Sequence, residues 1–320
     1  MYVAFAARIR RGGAAHAWHR LSGNGRSSSG IDLSSRIGTK AYDDAVPWRL
    51  TVVTFAILLL LVLLVTALLV ARQDKLIFFP DRQRRAEPAQ YGLAAEALSL
   101  RAADGVVLDG WWIRGAGQTA LVYLPGNAGN IGDRLERTKL LAGALGLDVF
   151  LVDYRGYGRS GGSPTEEGLY ADGLAVYEAA VSKGFPADRI VLFGESLGCA
   201  VAIETALRKP CAGLILEAPF LSVAAMARRY YPWIPAFFVR LRFDNGEKIA
   251  RLTLPKLIAQ AERDEVVPPR QTLRLFELAA PPKTYFVIQG ASHNDTYAAG
   301  GRAYLDAWKR FLDEAVPAGS

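Results

Sequence analysis

The chain has 320 residues, of which 51% are hydrophobic and 22% charged, so it is long and apolar enough to bury one large core. Its formal net charge is +7, but residues 1–49 hold eight basic against three acidic side chains, +5, and the rest hold 30 against 28, +2. The basic excess therefore belongs to the tail, which removes the main support for a nucleic-acid partner. Two cysteines, Cys199 and Cys211, make no disulfide framework, and His293 is the one histidine beyond the tail. Neither a metal site nor a cofactor is expected from that set.

Residues 1–48 are rich in Arg, Gly, Ala and Ser without a sustained apolar period, and read as a disordered basic tail. Residues 50–70 follow without a single charge, interrupted only by Thr51, Thr54 and Thr66. As a helix this stretch spans about 30 Å, the thickness of a bilayer's hydrocarbon core. A cleaved signal peptide would have a shorter apolar region and a small-residue cleavage site, whereas Arg72, Gln73, Asp74 and Lys75 come next. An uncleaved transmembrane anchor is expected. Basic residues flank it on both sides, so the simplest arrangement, tail inside and domain extracytoplasmic, rests on the tail being short.

From residue 97 the pattern changes. Residues 97–100 and 107–113, split by Asp104 and Gly105, read as an antiparallel hairpin. A short buried strand at 120–124 leads into the loop 125–130 and a helix to residue 145; a strand at 148–152 precedes a helix at 166–181. Strand 190–193 runs into a helix at 199–207, and strand 213–216 into an aromatic-rich stretch at 218–252. Strand 256–260, helix 270–278, strand 284–288 and a helix near 297–312 complete the chain. Apolar runs of this length alternating with helices predict an α/β domain over residues 75–320, with a mostly parallel sheet covered on both faces. Sites in such sheets lie at the carboxyl ends of the strands.

The chemistry centres on Gly194, Glu195, Ser196, Leu197 and Gly198. A short apolar strand entering GxSxG and then a helix is the nucleophile-elbow pattern, which presents a serine hydroxyl above the sheet. A serine hydroxyl is a poor nucleophile without a base and a third group to orient that base. His293, in the loop after strand 284–288, is the one candidate base in the domain. For the acid, Asp264 follows strand 256–260 and gives the order Ser, Asp, His; Glu217 is its rival and Asp244 a more distant one. The backbone N–H groups of Leu197 and of Asn127 are placed to hold an oxyanion. Gly156, Gly158 and Gly161 match GxGxxG, but Pro164 delays the helix and no acidic residue ends a second strand at the required distance. That segment reads as a structural turn bordering the pocket rather than a dinucleotide site.

The runs VYLPGNAGN (122–130), DYRGYGRSGG (153–162), GESLG (194–198), FDNGEKI (243–249) and DEVVP (264–268), with Ser292, His293 and Asn294, resemble those of the membrane-anchored α/β-hydrolase-domain (ABHD-like) serine hydrolases across about residues 75–315. The resemblance implies an α/β-hydrolase fold, a triad of Ser196, Asp264 and His293, and activity on esters or thioesters of lipids or acylated proteins. The sequence departs from the family's pattern in two places: Pro125 stands where many relatives have histidine, and Gln260 with Ala261 replaces the usual His-Gly.

Residues 218–252, after the sixth strand, read as a small cap in which Tyr230, Tyr231, Trp233, Phe237 and Phe238 alternate with Arg228, Arg229, Arg240 and Arg242. If these aromatics line the pocket beside a bilayer, an apolar acyl chain is the natural guest. The expectation is a single-pass anchored hydrolase of carboxylic esters or thioesters, its small-molecule substrate an acyl or lipid compound. An aminopeptidase on the same fold, or a catalytically silent binding or scaffold protein, are the alternatives.

Overall fold

The computed structural model describes residues 48–316. The basic tail expected over residues 1–48 falls, Trp48 apart, outside them. Helix α1 (Trp48–Ala71) is, among the described residues, the one helix long and apolar enough to cross a membrane. Every side chain at residues 56–65 is exposed, a row of Leu, Ile and Val that water would penalise at about 25 cal/mol per Å².

A single turn, α2 (Asp74–Ile77), leads to the two-residue strand β1 (Phe79–Pro80), and then come the hairpin strands β2 (Ala95–Arg101) and β3 (Val107–Ile113). Next are β4 (Ala120–Leu124), β5 (Ala128–Gly129), α3 (Leu135–Leu145), β6 (Asp148–Val152), α4 (Glu166–Ser182), β7 (Ile190–Glu195), α5 (Gly198–Arg208) and β8 (Gly213–Glu217). The chain ends with α6 (Val223–Tyr230), a 3₁₀ turn at Ala236–Phe238, α7 (Asn245–Ile249), β9 (Lys256–Ala261), α8 (Pro269–Leu278), β10 (Lys283–Ile288) and α9 (Thr296–Ala315). Helix starts follow local chemistry: the Thr165 hydroxyl accepts from the Gly168 amide at the head of α4, and Ser222 from Ala225 at the head of α6.

Eight strands form one sheet, in the order β2-β3-β6-β4-β7-β8-β9-β10, and β3 alone runs against its neighbours. This is the mostly parallel α/β architecture expected. Alternate residues face opposite sides, as a period of two requires. Val122, Leu124, Leu192 and Leu216 pack against α4 and α5 on one face, and Leu121, Tyr123, Val191 and Phe193 against α3 and α9 on the other. Each of these side chains is fully buried, which contributes about 1.5–3 kcal/mol apiece.

Element ends shift by one to three residues from the sequence expectation, and two of these shifts are instructive. Strand β7 continues past the apolar run because the ladder pairs Gly194 with Leu216 and Glu195 with Glu217, and backbone pairing does not depend on side-chain polarity. Helix α9 is longer than expected but kinks at Gly301, which has a positive φ of 48°.

Candidate active site

The turn from β7 to α5 holds Ser196 at a φ of 52°, the left-handed region a non-glycine residue enters only under constraint. Its neighbours explain the glycines. A Cβ on Gly194 would stand 2.5 Å from the Cα of Cys199, and one on Gly198 would run into the carbonyl oxygen of Leu124. The Ser196 amide donates to the carbonyl of Glu217 at 2.9 Å, pinning the turn to the next strand. Cys199 is fully buried under this turn, where burial pushes its thiol well above the usual range and leaves it an inert filler.

His293 follows β10 and Asp264 follows β9, so both reach the carboxyl edge from adjacent parallel strands. The structure brings the three residues into one line. His293 Nε2 lies 3.1 Å from Ser196 Oγ, and its Nδ1 lies 2.8 and 3.0 Å from the two Asp264 oxygens. Asp264 is itself oriented by the amides of Val266 and Val267, which donate to its Oδ1 at 2.9 and 2.7 Å. Burial pulls the imidazole down, but the Asp264 hydrogen bond and charge, with Glu195 and Glu265 beyond, outweigh it and hold His293 above its ordinary value.

The rival acids are elsewhere. Glu217 accepts from Arg137 at 2.8 Å, Thr296 at 2.5 Å and Tyr304 at 2.9 Å, and Asp244 accepts from Arg242 at 3.1 Å. A buried polar cluster that the sequence reading missed lies beneath the serine. Glu195 accepts from the Tyr123 hydroxyl at 2.6 Å and sits 3.2 Å from Arg134 and 3.7 Å from Arg137. Burial drives its carboxyl up, but the two guanidinium groups hold it at about 2. Its position inside GESLG was a visible signal; Arg137, in an ordinary-looking helix, gave none.

The amides of Leu197 and Asn127 have no hydrogen-bond acceptor among the described residues, and both residues line the same cavity as Ser196. Asn127 is braced from three sides. Its carbonyl accepts from the Phe79 amide at 2.9 Å and the Tyr157 hydroxyl at 2.8 Å, and its side chain donates to the Ile77 carbonyl at 2.7 Å. The parallel pairing of β1 with β5 continues this brace. The glycine-rich turn at 153–162 thus supports the Asn127 loop through Tyr157 and is absent from the cavity wall. Arg155 in that turn is bound by Asp172 and Asp104 instead.

The cavity above Ser196 measures about 260 Å³. One wall comes from Leu69, Val70, Leu76 and Ile77, and the other from α6 and the stretch after it, with Met226, Tyr230, Tyr231, Ile234, Phe238 and Val239. Trp233 and Phe237 are absent from this wall and are 59% and 79% exposed. No Asp, Glu, Lys or Arg lines the cavity among the described residues.

Three comparisons bear on this arrangement. The profile of the family described as serine aminopeptidase, S33, matches residues 118–250. The chain is 39% identical over 255 residues to an uncharacterized protein of Mycobacterium tuberculosis, covering 78% of this chain and 90% of the relative. It is 32% identical over 279 residues to the alpha/beta hydrolase domain-containing protein WAV2 of Arabidopsis thaliana, covering 78% and 91%. Among solved structures, an esterase of Pyrococcus furiosus superposes with a TM-score of 0.62 at 19% identity, over 75% of this chain and 99% of the esterase; at that identity the likeness concerns the fold.

Proposed function

The chain belongs to the α/β-hydrolase family, and from that premise we propose that it is a serine hydrolase of carboxylic esters or thioesters, anchored in a membrane by residues 50–70. The observation that carries this reading is the hydrogen-bonded line from Ser196 through His293 to Asp264. With Nδ1–H donated to Asp264, Nε2 is free to accept the serine proton as Oγ attacks the acyl carbon. The tetrahedral oxyanion is held by the Leu197 and Asn127 amides, each worth about 3–4 kcal/mol. Collapse breaks the bond to the leaving oxygen or sulfur, which takes the proton from His293. Water then enters, is deprotonated by the same nitrogen, and releases the acid and Ser196. Residues 218–252 act as the cap over this site within a hydrolase domain of residues 75–320.

The aminopeptidase reading draws support from the description of the matching family, but the cavity favours the ester. An aminopeptidase must hold a free ammonium group, and the described lining contains no carboxylate to do so. An apolar acyl chain matches the wall better. The tail on the inner side and the domain outside is the arrangement proposed for the membrane, which protease protection of sealed vesicles tests.

Ser196→Ala is expected to abolish hydrolysis of a short-chain nitrophenyl ester and labelling by a fluorophosphonate. Persistence of both in that variant would falsify the mechanism, and faster cleavage of an aminoacyl amide than of the matching ester would favour the peptidase.

A further inference from the structure

The membrane helix does more than tether, because its end is part of the cavity. Leu69 and Val70, in the last turn of α1, line the space above Ser196, as do Phe238 and Val239. The two segments meet along a seam held by side-chain contacts of Gln73 and Arg240. Gln73, almost buried, donates to the carbonyls of Val70 at 2.8 Å and Phe238 at 3.2 Å and accepts from the Arg240 amide at 2.7 Å. The Arg240 guanidinium donates to the Val70 carbonyl at 2.9 Å, satisfying a helix end that has no partner of its own.

We infer that acyl chains reach Ser196 sideways from the bilayer, through the seam between the end of α1 and the turn Ala236–Phe238, while Trp233 and Phe237 sit in the membrane interface beside it. The inference rests on the hydrolase and anchor readings above. A wall built from a membrane-spanning helix fixes the depth of the cavity: it lies where hydrocarbon meets headgroup. The exposed side chains next to the seam suit that depth. Trp233 and Phe237 are the kind that populate the interfacial aromatic belt. Arg228 and Arg229, at the end of α6, are exposed without a carboxylate partner among the described residues and border Arg270 and Arg274, a basic patch suited to lipid phosphates. Size points the same way. At about 260 Å³ the cavity is below the range of about 300–1,000 Å³ that encloses a drug-sized ligand, a size compatible with a single acyl chain rather than a whole lipid.

The test uses the full chain in nanodiscs containing anionic lipid, with a water-soluble short-chain nitrophenyl ester and a fluorogenic long-chain ester lipid embedded in the disc. The double variant Trp233→Ser, Phe237→Ser is expected to lower turnover of the embedded lipid about tenfold and leave the soluble ester within about twofold. Equal loss on both substrates, or no loss on the embedded one, overturns the inference. A second readout needs no catalysis. An environment-sensitive dye at Phe237→Cys, in a Cys211→Ser background, is expected to shift to the blue in nanodiscs and resist aqueous iodide; free quenching by iodide overturns the portal. Should the unaltered protein cleave neither ester, the hydrolase reading falls, and the dye still decides whether the seam meets the bilayer.

Discussion

Arg137 donates to the Glu217 carboxylate at 2.8 Å directly under the serine turn, and both side chains are almost fully buried. On the adjacent strand, Glu195 stands 3.7 Å from the same guanidinium, because β7 and β8 pair these two glutamates in register. Arg137 thus bridges two strand-end carboxylates, with Arg134 as the nearer partner of Glu195, and Glu217, whose carbonyl holds the Ser196 amide, keeps its place through Arg137.

Removing one partner of a buried pair leaves the other charge uncompensated. Glu217→Ala is expected to destabilise the fold by about 3–5 kcal/mol, read as a shift in the midpoint of urea unfolding with an unchanged slope. The pH dependence of hydrolysis in the folded fraction should stay as it was. A variant of unaltered stability but abolished turnover would reassign Glu217 to the chemistry.

Asp264→Asn makes the opposite prediction. The amide keeps much of the geometry but no longer compels the tautomer with Nδ1 protonated, so kcat is expected to fall by about 10³–10⁴-fold. Unfolding midpoints should move little by comparison with Glu217→Ala. Near-normal turnover with Asn at this position would show that another group orients His293.

The sequence made the parallel sheet and the elbow legible because both depend on local signals: apolar runs of four to six, and two glycines around a serine that must turn sharply. Asp264 was separable from Glu217 only by chain order, since each ends a strand; what divides them is the company they keep, a histidine for one and an arginine for the other. Arg137 gave no signal because a lone arginine in a mixed helix is ordinarily solvated, and its burial depends on contacts with β8 and α9, far along the chain. Gln73 was hidden for the same reason. It follows an apolar run like any boundary residue, and its partners lie some 165 residues away.

The raised pKa of His293 sets the pH profile. The proposed base must be neutral to act, so kcat/KM is expected to rise with pH through a value above the ordinary 6.5 for imidazole. Glu195 contributes to that rise by favouring the imidazolium, so Glu195→Gln should move the acid limb to lower pH. The sign for stability is the reverse of that for activity. A folded-state pKa above the unfolded one adds stability that is complete below about 6.5 and is lost as pH climbs through the folded value. Titrating His293 by NMR in both forms measures the shift; an acid limb that moves upward on removing Glu195 contradicts the account.

Asn127 ties the end of α2 to the loop proposed to hold the oxyanion. Its side chain donates to the Ile77 carbonyl at 2.7 Å, two residues before the β1–β5 pairing that holds the same loop. In Asn127→Ala the amide proposed to hold the oxyanion remains, but the loop loses one of its three ties, so the donor is less well aimed. Deleting an oxyanion donor outright costs about 10²–10³ in kcat, and misaiming one should cost less, about tenfold. Every other residue lining the cavity is untouched, so KM should hold, and loss of a single hydrogen bond should lower stability by about 1 kcal/mol. In Asn127→Asp a carboxylate would face the Ile77 carbonyl oxygen, two acceptors with no proton between them, and the loop should be pushed away rather than merely loosened. The order of kcat is therefore expected to be Asn, then Ala, then Asp at constant KM, measured with the soluble nitrophenyl ester. An effect confined to KM would place Asn127 in substrate binding and leave the oxyanion to other donors.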